Sequence, residues 1–308
     1  MSHKAGFIAI VGRPNTGKST LVNALVGEKI VITSHHPNTT RHAIRGIINH
    51  EDYQLIVVDT PGVHKPKTLL GGALNAVVTE SMDAVDVVVQ CIPVNESVGE
   101  GDLFIAKQIA QQRPSKKICA ITMVDMVDKS KVPSQLMAAQ ELAVKAGFTW
   151  DDIVPISAKI DLQVQTILDL LIKYSPESPA FYPKDLSSDQ ELSVAIADLI
   201  REAAIEEVFE EVPHSIAVVI NEMNLREKTK ESDPDFYDIH ASIIVERDSQ
   251  KAIVIGKRGS HLKSIGIRAR AQIEEKLGTR IYLALHVKVI SNWQGDPKAL
   301  QRLGFTRQ

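Results

Sequence analysis

Apolar residues in the first half of the chain come in short, nearly unbroken runs. Phe7–Val11, Leu55–Val58, Val85–Cys91, Ile118–Thr122 and Ile153–Ile156 carry few polar positions, the pattern of strands covered on both faces. Between the runs the period changes. Leu103, Ile105, Ala106, Ile109 and Ala110 share one helical face, as do Val164, Ile167, Leu168 and Leu171. Alternating strand and helix predicts an α/β domain with a mostly parallel sheet and flanking helices. From Ser175 to Ser188 the pattern stops: Pro176, Pro179 and Pro183, with four serines, predict a linker. Beyond it the pattern predicts a helix over Glu191–Glu211, a strand over Ser215–Ile220 and a polar loop over Leu225–Asp238. Strands over Ile239–Val245 and Lys251–Ile255 follow, around a turn at Asp248. A glycine break at Gly256–Gly259 leads into a helix to about Leu277 and a last strand over Arg280–Ile290. The expected layout is therefore a domain over 1–175, a linker over 176–188 and an α+β domain over 189–308.

Composition mainly excludes. With 308 residues, 44% hydrophobic and 24% charged, the chain is an ordinary globular one and is expected to fold as two domains. No apolar run approaches the length of a membrane span. The opening residues lead straight into a strand, so no signal peptide is expected. Cys91 and Cys119 sit inside apolar runs and are expected to be buried, reduced thiols of a cytosolic protein. The net charge of −3 hides an asymmetry. Residues 1–184 are balanced, 185–250 hold 5 Lys+Arg against 17 Asp+Glu, and 251–308 hold 12 against 3. The acidic block is expected to be a solvated face. The basic block coincides with the glycine break, as for a binder of phosphate backbones.

The chemistry is concentrated in four places. Gly12-Arg13-Pro14-Asn15-Thr16-Gly17-Lys18-Ser19, with Thr20 behind it, matches G-x-x-x-x-G-K-[ST] between a strand and a helix. Such a loop turns backbone N–H groups toward phosphate, and the helix N-terminus adds positive potential. Lys18 is expected at the β- and γ-phosphates and Ser19 on Mg²⁺. Asp59-Thr60-Pro61-Gly62 ends a buried strand; Asp59 is expected as a second Mg²⁺ partner and the Gly62 N–H at the γ-phosphate. A polar loop, Asn38-Thr39-Thr40-Arg41-His42, offers a threonine that completes the Mg²⁺ shell when the γ-phosphate is present. In the second domain, Gly256-Lys257-Arg258-Gly259 opens a helix whose Leu262, Ile265, Ala269 and Ile273 line one face, with Lys263 and Arg270 off it. A glycine loop of this kind clamps RNA backbone in KH domains.

These motifs in this order, together with Ser157-Ala158-Lys159, resemble the bacterial Era family of translation-factor-class GTPases. The resemblance runs over both domains and implies a P-loop GTPase domain followed by a type II KH domain. It selects Thr40 over Thr39 as the switch threonine. It implies GTP and GDP as ligands, and guanine read by Asp125 and the Ala158 N–H. It implies a slow GTPase that binds the 3′ end of 16S ribosomal RNA and assists assembly of the 30S subunit, as a monomer. The implied location is cytoplasmic, with peripheral contact at the cytoplasmic face of the membrane. One motif departs. The family's N-K-x-D is Thr122-Met123-Val124-Asp125 here, so Met123 supplies apolar cover without an ammonium, and Lys159 is expected to replace part of it. Guanine selectivity is expected to survive with weaker affinity. Where many GTPases carry a water-orienting glutamine, this chain has Val63. In related GTPases of that kind an asparagine matching Asn15 helps hold an activating K⁺, which implies K⁺ dependence. Two other readings are weighed. A KH module with a weak nucleotide site that turns over little is disfavoured by intact Lys18, Ser19, Thr40, Asp59 and Gly62. A metabolic P-loop kinase is disfavoured by the KH-like module.

Overall fold

The computed structural model describes residues 3–34, 39–63, 68–83, 85–111, 116–208, 212–226 and 234–305. Contacts divide the chain into two compact units, one built on residues 1–33, 40–67 and 71–189, the other on 34–39, 68–70 and 190–308. Asn38 of the polar loop, Glu211 at the end of the expected helix and residues 227–233 of the expected loop lie outside the described residues.

In the first unit the strands are β1 (Lys4–Val11), β2 (Ile44–Asn49), β3 (Tyr53–Asp59), β4 (Val87–Pro93), β5 (Lys116–Thr122) and β6 (Asp152–Pro155). Its helices are α1 (Lys18–Val26), α2 (Leu69–Met82), α3 (Glu100–Gln111), α4 (Val132–Ala146) and α5 (Val164–Tyr174). The sheet runs β2-β3-β1-β4-β5-β6, parallel except for β2, which pairs antiparallel with β3 at the edge. Every residue of β4 is buried. One face is packed by α1 and α5 residues such as Leu21, Leu25, Ile167 and Leu171, and the other includes Val78, Met82, Ile105 and Ile109. The chain reverses direction across the sheet at β1, so the C-terminal ends of β1 and β3 form the crevice where ligands of such sheets bind.

The sequence pattern misses β2, α2 and α4. The buried face of α4 is Gln135, Ala139, Leu142 and Ala143, too weakly apolar to stand out, and β2 is an edge strand with mixed burial. The proline-rich segment, expected as a linker, lies along the first unit. Glu177 bridges to Lys4 and Ser188 to Gly46, and the buried Gln54 carboxamide accepts the N–H groups of Phe181 and Tyr182 at 2.7 and 2.9 Å.

The second unit contains α6 (Leu192–Glu207), the single turn α7 (Val212–Ser215), β7 (Ala217–Leu225), β8 (Phe236–Val245), α8 (Asp248–Ile255), α9 (Ser260–Leu277), β9 (Arg280–Val289) and α10 (Pro297–Arg302). The sheet order is β7-β8-β9, antiparallel then parallel, with α6 and α9 packed together. The strand expected over Lys251–Ile255 is a helix. Gln250 Oε1 accepts the N–H groups of Glu246 and Arg247, closing a helical first turn where a loop turn was expected. Ile253, Val254 and Ile255 favour strands intrinsically, but only Val254 of α8 is buried, as a helix dictates. The acidic face is also not simply solvated. Glu202 is buried and accepts from Gln272, while Glu206 and Glu207 take Arg268 and Ser264 of α9. Trp293 is fully buried, donates to the Ser215 carbonyl and stacks on Phe305 with ring centroids 5.6 Å apart.

Candidate nucleotide site and RNA interface

The loop between β1 and α1 needs backbone that only certain residues supply. Gly17 has φ +84° and opens α1, and Asn15 stands at φ +61°, a conformation asparagine tolerates. A Cβ on Gly62 would lie 2.7 Å from the backbone of Pro14, so glycine lets the DTPG loop sit against the phosphate loop. The Val63 N–H donates to Gly12 O and the Thr60 hydroxyl to Ile10 O of β1, fastening the DTPG loop, while the Thr16 hydroxyl donates to Arg13 O within the phosphate loop itself.

Lys18, Ser19, Thr40 and Asp59 converge. The Thr40 and Ser19 hydroxyls donate to Asp59 Oδ2 at 2.8 and 2.9 Å and lie 3.0 Å from each other. Lys18 is buried and its ammonium donates to Arg13 O at 2.6 Å. Burial raises the Asp59 carboxyl pKa and lowers that of the Lys18 ammonium; each charge offsets part of the other's shift. Asp59 is fully buried, and its Oδ1 has no hydrogen-bond partner. A buried carboxylate oxygen left open beside two hydroxyls suits Mg²⁺, which takes few protein ligands and completes its shell with water and phosphate oxygens. Pro61 continues the loop after Thr60, and Thr20 sits exposed in the first turn of α1.

The base-reading end is built from the ends of β5 and β6. The buried Thr122 hydroxyl donates to Thr16 O at 2.8 Å, joining β5 to the phosphate loop. Met123 has φ +61°, and its methyl lies 3.5 Å from the position of a Cβ on Gly17. The Met123 methyl thus packs beside the turn that opens α1. The Val124 N–H donates to Ile156 O, and the Ser157 hydroxyl to Asp125 Oδ1 at 2.6 Å, so the two base-side segments are tied together. Asp125 and Lys159 are exposed and Ala158 half-buried, all on one rim.

In the second unit, Gly256 (φ +73°, ψ 174°) occupies backbone space open essentially to glycine alone, and Gly259 is left-handed at the start of α9. A Cβ on Gly256 would meet the His261 ring at 2.6 Å and its backbone N at 2.8 Å, and His261 Nδ1 pairs with Ile253 O at 2.8 Å. Lys257, Arg258 and Lys263 are exposed, while Arg270 pairs with Glu274 at 3.0 Å. A cleft of about 440 Å³ beside the loop is lined by Ser260, Lys263, Ser264, Ile267 and Arg268. Sequence reading overlooks His261 and Ile267. The tightness of Gly256 points to the first, but only in three dimensions, and a lone exposed isoleucine carries no signal.

Comparison with known proteins agrees with both units. The family model described as 50S ribosome-binding GTPase matches residues 7–124, and the KH domain model matches 211–294. The GTPase Era of Streptomyces coelicolor is 52% identical over 98% of this chain and 95% of its own length. That of Mycolicibacterium paratuberculosis is 52% identical over 98% and 99%. A crystal structure of Era with MgGDPNP and nucleotides 1506–1542 of 16S ribosomal RNA superposes with TM-score 0.92 at 34% identity, covering 99% of this chain and 100% of the other. Aquifex aeolicus Era bound to GDP and AlF4⁻ gives 0.91 at 34% identity, covering 99% and 100%. Identity near one half over 98% of the chain reaches well beyond the phosphate loop that many unrelated enzymes share, and so the chain belongs to the Era family of GTPases.

Proposed function

We propose that the chain is a GTP-hydrolysing switch that binds the 3′ end of 16S ribosomal RNA and assists assembly of the 30S subunit. The observation that carries the hydrolytic half is the convergence of Ser19, Thr40 and the half-satisfied Asp59 carboxylate beside buried Lys18. Mg²⁺ held by Ser19, Thr40 and, through water, Asp59 would neutralise charge on the β- and γ-phosphates. Lys18 leaves the Arg13 carbonyl for those phosphates, and the backbone N–H groups from Gly12 to Thr20, Pro14 excepted, line them. The Gly62 N–H meets the γ-phosphate, so Thr40 and the DTPG loop respond to its loss. Val63 carries no group that can orient water, which fits slow intrinsic turnover raised by a partner. Asn15, exposed at the loop tip, is proposed to help hold K⁺.

On the base side Asp125 accepts the guanine N1–H and N2–H₂, the Ala158 N–H donates to O6, and Met123 with Lys159 covers the ring. Thr122 does the tying rather than the reading. The KH part, 189–308, uses Gly256–Gly259 with Lys257, Arg258 and Lys263 on the RNA backbone, and Arg270 further along α9. The G domain spans 1–175, and 176–188, which runs along it, leads into the KH part. Among the described residues no helix is long and apolar enough to cross a membrane. A cytoplasmic monomer with peripheral contact at the cytoplasmic face of the membrane is the proposed setting.

The test is multiple-turnover phosphate release from GTP, with and without RNA carrying the 16S 3′ end, in equal KCl and NaCl. Turnover above the no-enzyme rate that rises with RNA supports the switch; its absence under every condition refutes it. Equal rates in the two salts would remove K⁺ alone.

A further inference from the structure

Arg13 lies inside the phosphate loop, and its side chain pairs with the turn after β4 and with the first turn of α3. Its Nε donates to Asp102 Oδ1 at 2.9 Å, and Nη1 pairs with Glu96 Oε2 at 3.0 Å. Asp102 is fully buried. Its other oxygen accepts the N–H of Gly99, the residue before the helix, at 2.9 Å, and its carbonyl accepts from the buried Gln90 carboxamide. A carboxylate without solvent is tolerated only when paired, so Arg13 is its necessary counter-ion. The helix makes room for this. Gly101 stands where a Cβ would lie 2.8 Å from Arg13 Cδ, so the arginine stem runs directly against the backbone of α3. Glycine in a helix costs stability relative to alanine, and close approach is the reason for it here.

The other end of Arg13 bears on the phosphates. Its carbonyl accepts both the Lys18 ammonium at 2.6 Å and the Thr16 hydroxyl at 2.9 Å. Fixing the Arg13 side chain therefore fixes the turn of the loop through the Thr16 bond, and with it the carbonyl on which Lys18 rests until a phosphate takes the ammonium. We propose that Arg13 is a positioning residue: clamped by Glu96 in the turn after β4 and by Asp102 in the first turn of α3, it holds the phosphate loop in the shape that takes a β-phosphate. The inference rests on the nucleotide reading above. It also makes α3 a lever, since any partner that shifts the first turn of α3 would shift the loop.

The experiment compares GDP with GMP, which lacks the β-phosphate that Lys18 reaches. Dissociation constants are measured by displacement of a fluorescent GDP from the full-length wild type, Arg13→Gln, Asp102→Asn, the double variant and Arg13→Lys, with a melting curve for each. Removal of one charged partner is expected to weaken GDP about tenfold or more, and GMP less than about threefold. The double variant is expected to be no worse than the weaker single one, because both break the same clamp. Arg13→Lys keeps the charge but not the fork. It is expected to fall between, and it carries the prediction should either buried change fail to fold. GDP affinity unchanged in the single variants overturns the proposal, as do equal losses for GDP and GMP, which mark general damage. A folded wild type that binds neither nucleotide overturns the nucleotide reading and this inference with it.

Discussion

Thr122→Val isolates the bond that joins the base-reading strand to the phosphate loop. Valine matches threonine in shape, so no cavity opens, and the change removes only the hydroxyl that donates to Thr16 O at 2.8 Å. Thr122 and Thr16 are both buried, so water does not readily replace the lost donor. A neutral hydrogen bond contributes about 1 kcal/mol, and leaving a buried carbonyl unpaired costs about 1–3 kcal/mol. The expected total is about 1–2 kcal/mol, a factor of roughly 5–30. It divides between two observables. If the loop keeps its shape in the ligand-free protein, the cost appears as reduced stability to urea. If the loop relaxes instead, the cost appears when nucleotide forces it back, as weaker GDP binding. Urea unfolding of the ligand-free protein and calorimetric titration with GDP, on one preparation, measure both. Thr122→Ser keeps the donor and is expected to recover most of the loss. A combined penalty below about 0.3 kcal/mol for Thr122→Val, well under the lower bound for a buried bond, would refute the reasoning.

Asp125→Asn is expected to move preference from GDP toward XDP, because an amide can donate where the carboxylate only accepts; competition binding that still ranks GDP first would remove Asp125 as the reader. Gly256→Ala places a Cβ 2.6 Å from the His261 ring at a φ of +73°. It is expected to lower RNA affinity about tenfold or more while GDP binding stays within about twofold, consistent with about 1–3 kcal/mol of local strain; gel-shift and GDP titrations decide. The pH response follows from two buried groups. Burial raises the Asp59 carboxyl, so the ligand-free folded chain holds that proton longer than the unfolded chain, and stability falls as pH rises from the ordinary aspartate value to the raised one. Burial lowers the Lys18 ammonium, so stability rises as pH climbs from the lowered value to the ordinary lysine value. Mg²⁺ and GDP favour both charged forms and are expected to flatten both slopes; unfolding curves that shift with pH identically with and without Mg·GDP would contradict this.

The central strands of the first unit are legible in the sequence because strands buried on both faces are nearly all apolar, as β4 is apart from its hydrogen-bonded Gln90. The phosphate loop is legible because its glycines, lysine and serine are each required by backbone shape or phosphate charge. The failures share a different cause. The buried face of α4 is mostly alanine and glutamine, and β2 mixes buried and half-buried residues on both faces, so neither leaves a strong period. α8 is written in β-branched residues and becomes a helix because Gln250 closes its first turn. The acidic run of α6 looks solvated until α9 is set against it.

By itself the sequence marked the candidate chemistry of the chain: a phosphate loop, a carboxylate proposed for Mg²⁺, an aspartate proposed for the base and a basic glycine loop. It could do so because those functions demand particular residue types at short, local spacings. Only the tertiary structure decided how they are held. Thr122 proved to be a tie to Thr16, Arg13 a strut against Asp102, and His261 the reason Gly256 admits no side chain. These pairs lie up to 106 residues apart. The first two are set by the packing of whole strands and helices, which no local pattern records; the third, five residues apart, is set by the tight junction of α8 and α9.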